Sequence, residues 1–203
     1  MSTLPRFEAH TLPRSLVVDP PMSDADFEAF CLANDDIQVE RTNQGVIRMN
    51  PPAAGASSRG NFEICIQFGA WFTAHGRGSA FDSSSGFYLS DGSLLSPDLA
   101  YVLEDRLEGL TDEQLDSFLH VCPNFVIELM SKSDTLAQAR NKMEYWIANG
   151  VQLAWLIDPY EKQVLVYQQG ADAGRFTGTS LAGTEPVYGF ILDLTKVWRC
   201  YKV

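Results

Sequence analysis

Hydrophobic and polar positions along the chain switch repeatedly between a helical and a strand period. In "MSDADFEAF", Ser23 stands as an N-cap with Asp26 at the third helical position, and Phe27 and Phe30 lie three apart, which predicts a short helix from about Asp24 to Ala33. "IQVERTNQGVIRM" alternates apolar and polar residues on both sides of Asn43-Gln44-Gly45, the pattern of a two-stranded hairpin. "NPPAAGASSRG" breaks that pattern and leads into "RGNFEICIQFGAWFTAH", apolar on nearly every face from Arg59 to His75, which predicts a helix buried on more than one side.

The second half repeats the switch. "SAFDSSSGFYLSDGSLLSPDLAYVL" reads as two or three short antiparallel strands, and "EDRLEGLTDEQLDSF" as an acidic surface excursion with a helical turn. The strand "NFVIELM" leads into the helix "DTLAQARNKMEYWIANG", stopped by Gly150. "VQLAWLIDP" and "KQVLVYQQ" form a hairpin around Pro159-Tyr160-Glu161, and "FILDLTKVW" closes the chain. Helix and strands followed by strand, helix, strand and strand favour an α/β or α+β layer with a mixed sheet. The Pro-rich residues 1–22 read as an extended N-terminal arm, and 23–203 as one domain.

Composition narrows the function. Against 15 Lys and Arg stand 26 Asp and Glu, a net charge of −11, which repels nucleic acid at long range and counts against a pure DNA-binding module. Any action on DNA needs bound cations or local basic side chains such as Arg59, Arg77, Arg140 and Lys132. Cys31, Cys65, Cys122 and Cys200 are far apart, with no CxxC pair and no zinc pattern, as for free thiols of a reducing compartment. No stretch has signal-peptide or membrane-span character, so a cytoplasmic protein is expected. The three histidines, His10, His75 and His120, accompany no GxSxG-like nucleophile, and an acid/base hydrolase working with Asp98 and Glu128 alone has little support.

Two carboxylates interrupt runs that otherwise read as buried strands: Asp98 in "SPDLAYV" and Glu128 in "NFVIELM". An ionised group there is costly unless compensated. Either Asp98 only begins a strand from an exposed turn and Glu128 only ends one at a solvent edge, or a divalent cation sits between them. A hard cation such as Mg²⁺ takes oxygen ligands and needs as few as one or two protein carboxylates. Glu63, the one formal charge between Gly60 and Ala74, raises the same question. On the helix after Glu128, Gln138, Lys142 and Tyr145 fall at i, i+4 and i+7 on one face. A lysine beside metal-bound water can lower its pKa or stabilise charge on a phosphoryl group.

Pro97-Asp98 followed by a strand ending in Glu128 resembles the PD-(D/E)XK nuclease superfamily. More narrowly, "SPDLAYV…CPNFVIELMSKSDTLAQARNKMEYWIANGVQLAWLIDP…VLVY" resembles the Uma-type restriction endonucleases, abundant in cyanobacteria, over roughly Asp24 to the C-terminus. The resemblance implies a restriction-endonuclease-like mixed sheet flanked by helices and a phosphodiester hydrolase acting on DNA with Mg²⁺ or Mn²⁺. It implies Asp98 and Glu128 as metal ligands, Glu63 as the third acidic residue, and dimerisation. One departure stands out, because Met130 occupies the place of the superfamily's usual lysine. A migrated lysine is then implied, with Lys142 the better fit and Lys132 the competitor. Gln138 and Tyr145 would line the site, and Ser131 and Asp134 would shape the helix entry. The alternative is an inactive nuclease-like fold serving as a DNA- or protein-interaction module.

Overall fold

The computed structural model describes residues 15–35, 37–50 and 52–201. The described residues open with strand β1 (Ser15–Val17) and helix α1 (Asp24–Ala33), where the Ser23 hydroxyl accepts the Asp26 N–H at 3.2 Å and Phe27 and Phe30 are buried. Residues 15–17 of the expected arm thus pair within a sheet, and residues 1–14 lie outside the described residues. The hairpin β2 (Gln38–Arg41) and β3 (Val46–Asn50) turns through Gly45, whose φ of +78° suits glycine. Helix α2 (Gly55–His75) begins four residues before the expected Arg59.

Four strands follow where two or three are predicted: β4 (Gly78–Asp82), β5 (Phe87–Tyr88), β6 (Leu94–Leu95) and β7 (Leu99–Leu103). The acidic excursion holds two single turns, α3 (Glu104–Leu107) and α4 (Asp112–Leu115). Then come β8 (Phe125–Leu129), α5 (Leu136–Ala148), and the hairpin β9 (Leu153–Asp158) and β10 (Gln163–Gln168). The chain ends with β11 (Gly174–Phe176), β12 (Ser180–Ala182), β13 (Ile191–Asp193) and α6 (Leu194–Arg199).

These strands form a five-stranded sheet ordered β1-β3-β2-β6-β5, a six-stranded sheet ordered β11-β10-β9-β8-β7-β4, and the β12–β13 ladder. The larger sheet is mixed: β8 and β9 run parallel, joined by α5, and the other pairs are antiparallel. Strand β8 shows how period two builds both faces. Phe125, Ile127 and Leu129 pack into the core under α2 and α6, while Val126 and Met130 pack toward Met143 and Trp146 of α5. A third core joins α1 to the smaller sheet through Phe27, Phe30, Ile47 and Leu94.

Helix α2 corrects the expectation of burial on several sides. Only the stripe Ser57, Gly60, Ile64 and Phe68 is buried, and Phe62 is 69% exposed. The helix covers the sheet as an outer layer, with nothing among the described residues covering its far face. Gly60 permits its close approach: a Cβ there would lie 2.8 Å from Leu129 Cδ2.

Candidate functional site

Neither strand carboxylate is an exposed end. Strand β8 lies between β7 and β9, and Glu128, on the face it shares with Val126 and Met130, points at α5. There the Trp146 indole N–H donates to Glu128 Oε1 at 2.9 Å and the Lys142 ammonium lies 2.8 Å from the same oxygen. Asp98 immediately precedes β7. Its Oδ2 accepts the Leu129 backbone N–H at 2.7 Å, and its Oδ1 accepts the Asn61 side-chain amide at 2.6 Å. The carboxylate thereby stitches β7 to β8 and to α2.

The lysine belongs to both sheets. Lys142 Nζ also lies 2.8 Å from Glu40 Oε1 and donates to the Ser96 carbonyl at 2.9 Å. Glu40 comes from β2 of the smaller sheet, and Ser96 sits on the link from β6 to β7, where the chain crosses from one sheet to the other. The Ser96 N–H donates to Glu40 Oε1 at 3.1 Å. Glu40 is a member of this junction that the sequence reading missed. In "IQVER" it occupies a polar position of an ordinary hairpin alternation, and nothing local distinguishes it from a solvated glutamate.

Two carboxylates, Glu40 and Glu128, therefore share one ammonium in a mostly buried junction, where the side chains of Glu40, Glu128 and Lys142 are 5%, 12% and 19% exposed, and Asp98 stands near enough to feel the same charge. Burial pushes the Glu128 carboxyl up to about 8, against the pull of Lys142, with Asp98 and Glu40 adding to the rise. Asp98 is also raised, by burial first, with the Leu129 N–H and Lys142 opposing. For Lys142, burial works against the charged form, but Glu128 and Glu40 outweigh it and hold the ammonium well above its ordinary value.

The other expected site residues stand elsewhere. Glu63 does not complete a three-carboxylate set with Asp98 and Glu128: among the described residues no three His, Cys, Asp or Glu side chains form a group that could hold a metal ion. Its Oε1 accepts from Gln67, one turn on, and Gln67 in turn exchanges hydrogen bonds with the Asp193 backbone. With the Gly60–Ile64–Phe68 stripe against the sheet, position 63 is turned toward β13, and Asn61 is the α2 residue that meets Asp98. Gln138 is exposed, its carbonyl accepting the hydroxyl of Thr135, the α5 N-cap. Tyr145 lies beside Asp91, and burial followed by that carboxylate raises its phenol. Of the three residues expected on one face of α5, Lys142 alone bonds to the carboxylates. Lys132 is exposed, and Met130 packs in the core under α5. Asp134 accepts the Ser131 N–H at 2.7 Å, shaping the entry to α5.

The donor set fits a hard cation held by two carboxylates. Asp98 and Glu128 offer oxygen only, each of their oxygens has two lone pairs, and no hydrogen bond is seen to Glu128 Oε2 among the described residues. The junction is also short of positive charge.

Among the described residues no helix is long and apolar enough to cross a membrane. A comparison with curated proteins finds no match. Among solved structures the chain is similar to "a putative nuclease belonging to DUF820" from Anabaena variabilis. The TM-score is 0.67 at 18% identity, covering 81% of this chain and 91% of that one. That likeness establishes a nuclease-like fold of mixed sheets flanked by helices. The Uma2 family model, described as "Putative restriction endonuclease", matches residues 24–194, and the chain belongs to that family.

Proposed function

We propose that the protein is a metal-dependent DNA endonuclease whose centre is Asp98, Glu128 and Lys142. The observation that carries this reading is the charge imbalance at the junction: Glu40 and Glu128 share a single ammonium with Asp98 close by, and Asp98 and Glu128 are both raised by burial. Asp98 and Glu128 would hold one Mg²⁺ or Mn²⁺. When bound, the cation supplies Lewis acidity toward a phosphoryl oxygen and lowers the pKa of water.

The chain's own residues do the rest. Leu129 N–H and Asn61 fix the Asp98 carboxylate, and Trp146 fixes that of Glu128, so both oxygen donors are oriented in advance. Lys142 brings a positive charge to the edge of the carboxylate pair. It stabilises negative charge as it builds on the phosphoryl group during hydrolysis of the phosphodiester bond. The second reading is an inactive fold retained for interaction. It is favoured by the bonds of Lys142 to Glu40 and Ser96, which by themselves tie the two sheets together.

Calorimetric titration of Mn²⁺ separates the two. The nuclease reading expects binding at about one or two sites, lost in Asp98→Asn and Glu128→Gln while both variants stay folded. It also expects Mn²⁺-dependent nicking of plasmid DNA that disappears in the same variants. Absence of Mn²⁺ binding by the wild type, with or without DNA, would overturn it in favour of the second.

A further inference from the structure

The two ends of the six-stranded sheet differ in charge. At the end where Asp98 precedes β7 and Glu128 nears the close of β8, four exposed basic side chains gather. They are Arg59 early in α2, Lys132 just after β8, Lys162 in the β9–β10 turn, and Arg199 at the end of α6. The strand registers define this end, with Leu129 beside Ile157 and Asp158 opposite Gln163. Helix α2 reaches it at Gly60, against both Leu129 and the Tyr201 ring.

Two tyrosines bridge the basic residues. Tyr201, two residues after Arg199, stacks edge-on against Tyr160, two residues before Lys162, with ring centroids 5.6 Å apart. Tyr160 is 47% exposed. The acidic residues interleaved here are Asp134, whose carboxylate is engaged by the Ser131 N–H, the buried Asp158, engaged by the Tyr160 and Glu161 N–H groups and the Gln163 amide, and Glu161. The patch adjoins Asp98, since Leu129, against Gly60, donates its N–H to that carboxylate, and Glu128 precedes Leu129 on the face of β8 toward α5.

At the far end, where β7 closes at Leu103, residues 104–116 carry six carboxylates and Arg106 as their one basic residue. The Arg106 guanidinium is spent on the carbonyls of Cys122, Pro123 and Gly150. The basic residues named from sequence also separate. Arg59 and Lys132 belong to the patch, whereas Arg77 precedes β4 at the acidic end and Arg140 is exposed on α5, on the side of Tyr167.

We propose that this basic, tyrosine-bearing end of the sheet is the DNA-docking surface. Arg59, Lys132, Lys162 and Arg199 would contact backbone phosphates, and Tyr160 would lie against a sugar or base. The proposal rests on the nuclease reading and adds the surface by which substrate reaches Asp98 and Glu128. Exposed cations flanked by an aromatic face suit a phosphate chain. A chain of net charge −11 also needs such a local patch, and the acidic far end steers a polyanion toward it.

The test is fluorescence anisotropy with a short labelled DNA, as duplex and as single strand, in EDTA across a salt series. The quadruple variant R59Q/K132Q/K162Q/R199Q is compared with the double variant R77Q/R140Q, and thermal melting confirms that both fold. The expected result is at least a tenfold loss of affinity in the quadruple variant, a salt slope shallower by about one per lost phosphate contact, and no change in the double variant. If the wild type binds DNA and the quadruple variant binds with the same affinity and slope, the surface is overturned while the nuclease reading stands. If the wild type binds neither DNA, the surface is overturned, and the Mn²⁺ titration decides separately on the metal centre.

Discussion

Glu40 and Arg41 are neighbours on β2, both nearly fully buried, and they face opposite fates. Arg41 is surrounded by partners: its guanidinium pairs with Asp24, donates to the carbonyls of Gly92 and Met22, and lies over the rings of Phe27 and Tyr88. One cation meets one carboxylate, two carbonyls and two ring faces. Glu40 faces the other way, into a junction where it competes with Glu128 for one ammonium near Asp98. The first cluster is complete in itself and pins α1 to the smaller sheet. The second holds more carboxylates than cations, and an imbalance of that kind at a junction of three layers points to a site.

The largest effect is expected for Lys142→Met, which leaves Glu40 and Glu128 without their ammonium. Above pH 8 it should lose about 3–5 kcal/mol in urea unfolding, and less in mildly acidic buffer where Glu128 protonates. Added Mn²⁺ should restore part of that loss if the carboxylates take a cation. Arg41→Met should cost about 2–3 kcal/mol, because the buried guanidinium's part-buried hydrogen bonds to the Met22 and Gly92 carbonyls are lost, while Asp24, 60% exposed, is left to water. Its Mn²⁺ isotherm should match the wild type. If Arg41→Met abolishes Mn²⁺ binding without unfolding the protein, the two clusters are not separate.

The pH dependence sharpens the contrast. Glu128 has its folded pKa raised from 4.5 to about 8, so the folded state binds the proton more tightly than the unfolded chain. Its contribution to stability is present below about pH 4.5 and is lost as pH rises through about 8. Stability of the wild type should fall across that window, and Glu128→Gln should flatten the fall, as read from unfolding midpoints at a series of pH values. Mn²⁺ affinity should climb over the same window, because the cation needs the ionised carboxylate. The smallest effect is expected for Gln138→Ala, within about 0.5 kcal/mol in stability and without change in Mn²⁺ affinity. A marked loss of affinity there would restore Gln138 to the site.

Much of the local structure was legible. The helix α1 boundaries and its Ser23 cap, the Gly45 hairpin, and the stop of α5 at Gly150, with φ of +108°, follow from short-range rules of capping, alternation and glycine conformation. Asp98, Glu128 and Lys142 could be singled out because charges in apolar surroundings need partners. The same rule singles out Glu63, but Asn61 is the α2 residue that meets Asp98, since the sequence does not say which way α2 is rotated on the sheet, and a rotation of about half a turn separates Asn61 from Glu63. The burial of α2 was overestimated because an apolar helix is compatible with one covering layer or two, and here Phe62 and Ile66 face outward.

Sequence alone determined the elements, the mixed layer class, and the presence of strand carboxylates that demand compensation, because these rest on periods of 2 and 3.6 residues and on the cost of buried charge. Tertiary structure decided the partners. Glu40 and Lys142 are about a hundred residues apart and meet because β2, the β6–β7 link and α5 converge where the two sheets join. Contact across that distance depends on how layers stack, which leaves no mark on the local pattern around either residue.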